Sequence, residues 1–199
     1  MSEIEAGRLK PYVIAINAVS GGGKTALAKS LQESLPGSKM FCFDDFDETN
    51  KYAEDYYEWW KRGANLLEFD CQGMRDAVDK EIQRGKVNYI ILDYPFGRDH
   101  PRFRTLIDLS VYVDTPLDMA MARRIVRDHQ ALPGESASEV ASRLRAEMLY
   151  YVEKGRHVYL DTERHKSSSD LILDGRQSLE ELSIQILAHI PTRFSLKPS

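Results

Sequence analysis

Residues 18–25 read Ala18-Val19-Ser20-Gly21-Gly22-Gly23-Lys24-Thr25. This run suits the binding of a polyphosphate. Such a ligand needs several backbone N–H groups aimed inward, and only small residues let the backbone approach that closely. Gly21, Gly22 and Gly23 supply the freedom, flanked by Ser20 before them and Ala26 after Thr25. A helix starting here adds about half a positive charge at its N-terminus. Lys24 neutralises the outer phosphates, and the Thr25 hydroxyl binds Mg²⁺. The pattern is G-x-x-x-x-G-K-[ST] with Ala18 in the place of the first glycine. A glycine-rich turn carrying Lys-Thr by chance is the bland alternative. The apolar run before it and the helical pattern after it favour a nucleotide site.

Two acidic positions follow other apolar runs. Asp44 and Asp45 leave the second run, in Phe43-Asp44-Asp45-Phe46-Asp47. A phosphoryl-transfer enzyme must take a proton from its acceptor hydroxyl and hold that oxygen in line. Asp44 fits that task and lies near the metal, although Asp is also a common turn residue. Asp93 ends the third run and is placed to stand behind Mg²⁺. It is followed by Tyr94 and not by a water-activating Glu, which favours transfer to a bound acceptor. Arg123 and Arg127 share a helix face, ahead of a loop punctuated by Pro133-Gly134. Such a lid would neutralise charge and exclude water during transfer. Arg124 reads as a helix-end arginine complementing the dipole.

The elements that would position these groups alternate. Strands are expected at 12–16, 40–43, 89–92, 109–113 and 170–173. Helices are expected at 24–35, 71–83, 116–128, 137–153 and 178–190, with Thr115 capping the third of these. Apolar strands alternating with helices imply a parallel sheet covered on both faces, with ligands at the strand carboxyl ends. The expected fold is three-layer α/β/α with a five-stranded parallel sheet, in one domain over 1–199. It carries a short lid at about 123–140 and an acceptor-binding insertion at about 47–72.

Composition narrows the classes. The 199 residues carry 27 Lys plus Arg against 31 Asp plus Glu, a net charge of −4. That balance disfavours nucleic acid as the main partner. No apolar run reaches the roughly 18 residues of a membrane span, and the start of the chain is polar, without a signal-peptide core. Cys42 and Cys71 are too few for a disulfide framework, so a reduced cytoplasmic setting is expected. A homo-oligomer stays open.

Together these segments resemble the uridine kinase and nicotinamide riboside kinase branch of the phosphate-loop small-molecule kinases. The loop at 18–25 is the first match. Asp44-Asp45-Phe46 is similar to the branch's Asp-[Asp/Ser]-Phe, whose first Asp is the base. Arg123-Arg124-Ile125-Val126-Arg127-Asp128 is similar to its lid helix, and Ser169-Asp170-Leu171-Ile172-Leu173 to its final strand. Asp93-Tyr94 departs from the branch's Glu-Gly. The resemblance spans about 11–190 and implies ATP with Mg²⁺ and a primary hydroxyl acceptor, typically the 5′-hydroxyl of a ribonucleoside. It implies that Asp70 holds the ribose hydroxyls. From the residues themselves, Tyr56 belongs to an aromatic cluster fit to stack on a base. Phe96, Arg98 and His100 follow Asp93 and, with Asp45, are candidates for the acceptor pocket. Alternatives are a non-nucleoside acceptor, such as a vitamin precursor or sugar, and a nucleotide-binding switch without transfer.

Overall fold

The computed structural model describes residues 10–191. The N-terminal stretch read for a signal segment lies outside them except for Lys10, as does the tail after Pro191. Five strands, β1 (Tyr12–Asn17), β2 (Ser38–Cys42), β3 (Tyr89–Asp93), β4 (Leu109–Asp114) and β5 (Leu171–Asp174), form one parallel sheet in the order β2-β3-β1-β4-β5. Side chains alternate across a strand. Val13 and Ala15 therefore pack on one face with Ile90, Leu92, Met74, Val78 and Phe103. Ile14 and Ile16 pack on the other with Ile91, Val111, Leu27, Leu31 and Ile186. Each fully buried side chain of this size contributes about 1.5–3 kcal/mol.

The helices supply the outer layers. On the second face lie α1 (Lys24–Ser34) and α8 (Leu179–His189), the latter opened by a Ser178–Glu181 capping box. On the first lie α3 (Gln72–Arg84), ended by the left-handed Gly85, and the short α4 (Pro101–Arg104). The insertion after β2 holds a 3-10 turn (Phe43–Phe46) and α2 (Tyr56–Lys61), whose N-cap is the Asp55 side chain. After β4 come α5 (Leu117–Asp128) and α6 (Ala137–Tyr150). Helical backbone then continues through a π turn (Tyr151–Gly155), α7 (Arg156–Asp161) and a 3-10 turn (Thr162–Ser168).

Three expectations change. Phe43 leaves β2 for the 3-10 turn that carries Asp44. The helix expected at 137–153 is replaced by α6 and the longer arm that follows it, reaching residue 168. Thr115 does not cap α5, where Pro116 holds that place. The buried Thr115 hydroxyl instead donates to the Gly22 carbonyl at 2.8 Å, tying the end of β4 to the glycine loop. Thr115→Val keeps the shape but strands that carbonyl, so chemical denaturation should show a loss of about 1–3 kcal/mol. Unchanged stability would mean that the tie contributes nothing.

Candidate active site

Parallel register sets the site. Asp93 pairs with Ile16 on one side and with Cys42 on the other, so three strand ends finish level. The chain leaves β1 through residues 18–23 and enters α1 at Lys24. Two glycines make that turn. Gly23 caps α1 at φ 99°, and Gly21 adopts φ 79°, where a Cβ would also run into the Ala120 carbonyl. Neither conformation suits an L side chain. Gly22 N–H donates to the Val19 carbonyl at 2.8 Å, closing the loop on itself.

Across the strand ends, the Thr25 hydroxyl donates to the buried Asp93 carboxylate at 2.5 Å. The Cys42 thiol donates to the same oxygen at 3.3 Å. Burial, and then the Asp93 charge, push that thiol up to about 11, so it stays protonated at neutral pH. Asp44 lies two residues beyond β2 and opens on the same space. The cavity walls strip water from its carboxyl and push it above the usual aspartate range, helped by Asp93 and Asp47 and opposed by Lys24 and Arg127.

These groups occupy one part of a cavity of about 880 Å³. Ser20, Lys24, Thr25, Asp44, Tyr56, Asp93, Phe96 and Arg127 all line it. Arg127 comes from the last turn of α5 and pairs with Asp128 at 2.6 Å. Gly21, Gly22 and Gly23 form the turn beneath, and Ala26 continues into α1 as an exposed residue. The loop between α5 and α6 is held by Arg143, which reaches Glu135 at 3.0 Å and the Asp128 carbonyl at 2.9 Å. Aromatic rings build the remaining wall. Phe43 meets Phe96 edge-on at 5.7 Å between centroids, Phe96 meets Phe69 at 4.8 Å, and Phe69 meets Trp59 at 5.1 Å.

Several candidates stand elsewhere. Asp70 does not line the cavity; it pairs with Arg102 at 2.8 Å and accepts from the Gln72 N–H at the start of α3. Arg98 is spent on Asp170 at 2.5 Å and on the Asp108 carbonyl at 2.7 Å, bracing the loop before β4. His100 is buried, and both ring nitrogens are used inside the protein. Nε2 donates to the Phe69 carbonyl at 3.0 Å, while Nδ1 accepts from the Arg102 N–H at 3.3 Å. Burial lowers its pKa, in keeping with a neutral ring. Asp45 is exposed and does not line the cavity. Arg123 does not line the cavity, and its guanidinium donates to the Gly175 carbonyl at 3.5 Å. Arg124 pairs with Glu147 at 2.7 Å and with the Tyr159 hydroxyl.

The cavity also takes in residues that the sequence reading passed over: Asp47, Tyr150, Tyr159, Asp161, Thr162 and His165. Most come from the long arm, whose contribution depends on its folding back over the strand ends. The only local sign was the aromatic spacing of Tyr150, Tyr151 and Tyr159.

The phosphoribulokinase / uridine kinase family matches residues 88–173. A uridine kinase of Bacillus pumilus is 29% identical over 145 residues, covering 61% of this chain and 69% of that protein. A uridine kinase of Saccharomyces cerevisiae is 27% identical over 145 residues, covering 59% of this chain but only 29% of its own length. Among solved structures, TT1252 of Thermus thermophilus superposes with a TM-score of 0.55 at 18% identity, over 92% of this chain and all of that one, a likeness of fold.

A carboxylate with a raised pKa weakens the fold once it ionises. The folded state binds that proton more tightly than the unfolded one, so this contribution is lost as pH rises past the ordinary aspartate value. Asp44→Asn should therefore raise the thermal midpoint at neutral pH. Carbon-13 NMR should place the Asp44 carboxyl above the usual range, and higher again in Arg127→Met. A carboxyl titrating at or below the usual range would contradict this electrostatic account.

Proposed function

We propose, for a chain that is an ATP-dependent small-molecule kinase resembling the uridine kinase branch of the phosphate-loop kinases, that the acceptor is the 5′-hydroxyl of a ribonucleoside. The observation that carries this reading is the convergence of Lys24, Thr25–Asp93 and Asp44 at one end of an aromatic-walled cavity. In its favour, the lining holds Asp47 and no cation except Lys24 and Arg127 among the described residues, while Asp161, which pairs with Arg164, adds no net charge. Such a wall repels a carboxylate acceptor and suits a neutral or cationic ring stacked on aromatics.

In this mechanism the glycine-loop N–H groups and the start of α1 bind the donor's phosphates. Lys24 neutralises charge on the outer phosphates. Asp44 accepts the proton from the acceptor hydroxyl as its oxygen bonds to the γ-phosphorus, and the bond to the leaving diphosphate breaks. Arg127 offsets the equatorial charge. Tyr56 and Phe96 flank the ring, and Asp47, held by the Tyr52 hydroxyl, accepts from the sugar hydroxyls. No acceptor contact is assigned to Asp45, Asp70, Arg98 or His100.

The residues fit Mg²⁺. Thr25, Asp93 and Asp44 offer hard oxygens only, and this ion favours one or two carboxylates shared with substrate phosphates. When bound it neutralises the phosphate oxygens. We place the lid at about 123–140 and the acceptor insertion at about 47–72 within one domain, in a cytoplasmic setting. A small molecule, not nucleic acid, is the partner, and a homo-oligomer remains compatible. No helix among the described residues is long and apolar enough to cross a membrane.

The test is phosphoryl transfer from labelled ATP to a panel of nucleosides, vitamin precursors and sugars. A ribonucleoside should be the best acceptor. Asp44→Asn should lower kcat by about 10²–10⁴ with ATP binding retained, and Lys24→Ala should cut kcat/KM at least as far. Transfer to sugars alone would sink the nucleoside reading, and wild-type turnover in Asp44→Asn would remove the base.

A further inference from the structure

The aromatic end of the cavity contains a histidine that the mechanism above does not use. His165 lies in the 3-10 turn after α7 and is only 3% exposed. It lines the cavity beside Phe96, whose ring it meets edge-on with centroids 6.3 Å apart. Its Nδ1 is bonded to the Asp99 carboxylate, which does not line the cavity. A carboxylate can only accept, so Nδ1 carries the hydrogen. Among the described residues no hydrogen bond is made to Nε2.

His100 provides an internal comparison. It is a buried histidine of the same chain, and both its nitrogens are satisfied by backbone. A purely structural histidine looks like that, because an unmade buried hydrogen bond is costly. His165 has one nitrogen anchored and the other left for the cavity. Burial lowers its pKa, against the pull of Asp99 and with Arg164 and Asp161 nearby, so the ring is neutral and Nε2 keeps its lone pair.

We propose that His165 Nε2 accepts a hydrogen bond from an N–H on the ring edge of the acceptor, with Asp99 as the positioning residue that sets the tautomer. The identity of the donor as a nucleobase N–H rests on the ribonucleoside reading; the tautomer does not. An acceptor that lacks the donor leaves Nε2 buried and unpaired, and is rejected.

Two measurements decide it. Nitrogen-15 NMR of histidine-labelled protein, with His165→Gln for assignment, should show Nε2 unprotonated at neutral pH and shifted by added uridine. A protonated Nε2 overturns the proposal, whatever the acceptor proves to be. Steady-state kinetics should then compare uridine with 3-methyluridine, whose ring N–H is blocked. The wild type should favour uridine by about 10- to 100-fold in kcat/KM. His165→Phe should lose that preference by losing uridine turnover, with little gain on the methylated compound, and His165→Gln, which retains an acceptor oxygen, should recover part of it. An undiminished preference in His165→Phe overturns the proposal. A wild type that phosphorylates no nucleoside refutes the ribonucleoside reading instead, and the tautomer still decides the role of His165.

Discussion

The hydrogen bond between Thr25 and Asp93 joins the start of α1 to the end of β3, and the rest of the site is arranged around it. It forms because parallel strands end level. The register that sets Asp93 beside Ile16 and Cys42 brings the glycine turn, the Asp93 carboxylate and the segment leading to Asp44 to one edge of the sheet. Two left-handed glycines then let the chain reverse from β1 into α1 within a few residues. Thr115 secures that reversal from β4. The glycine-loop half of the site is thus a property of the sheet's carboxyl edge, as expected where crossovers diverge from a central strand.

The other half is built differently. The insertion after β2, which seats Ala53, Trp59 and Phe69 in the core of the first face, and the arm after α6 together line the far side of the cavity. They meet through rings. Trp60 stacks on His157 at 4.7 Å between centroids, and Arg164 lies over the Trp59 ring at 5.8 Å. A further link comes from Arg164, which donates to the Ala64 carbonyl at 2.9 Å. A rigid sheet edge for phosphate and a wall assembled from two peripheral segments is a division suited to a kinase. The donor is common to many such enzymes, while the acceptor differs. The departure at Asp93-Tyr94 belongs to the first half, since Tyr94 turns into the core and donates to Cys71 Sγ at 3.7 Å.

Electrostatics reinforce the division. Near the loop, Lys24 and Arg127 oppose the burial that raises the Asp44 carboxyl. At the aromatic end the charges are carboxylates or are neutralised locally, as Arg164 is by Asp161 at 3.2 Å. Phosphates suit the loop end, and an uncharged group suits the aromatic end.

The five strands, the helices around them, the glycine loop and the neighbourhood of Asp44 and Asp93 are legible in the residue order alone. Each of these depends on short-range rules: apolar periodicity, glycine at positive φ, and a polar residue where a strand ends. Tertiary structure alone decided which acidic and basic residues face the cavity. Asp70, Arg98 and His100 follow the right elements in the chain, but each finds a nearer partner in Arg102, Asp170 or backbone carbonyls and is consumed there. His165, Asp161 and Thr162 lie more than a hundred residues after the loop with which they share the cavity. Their placement depends on the arm folding back across the strand ends, a long-range packing outcome that leaves no periodic trace in the local sequence.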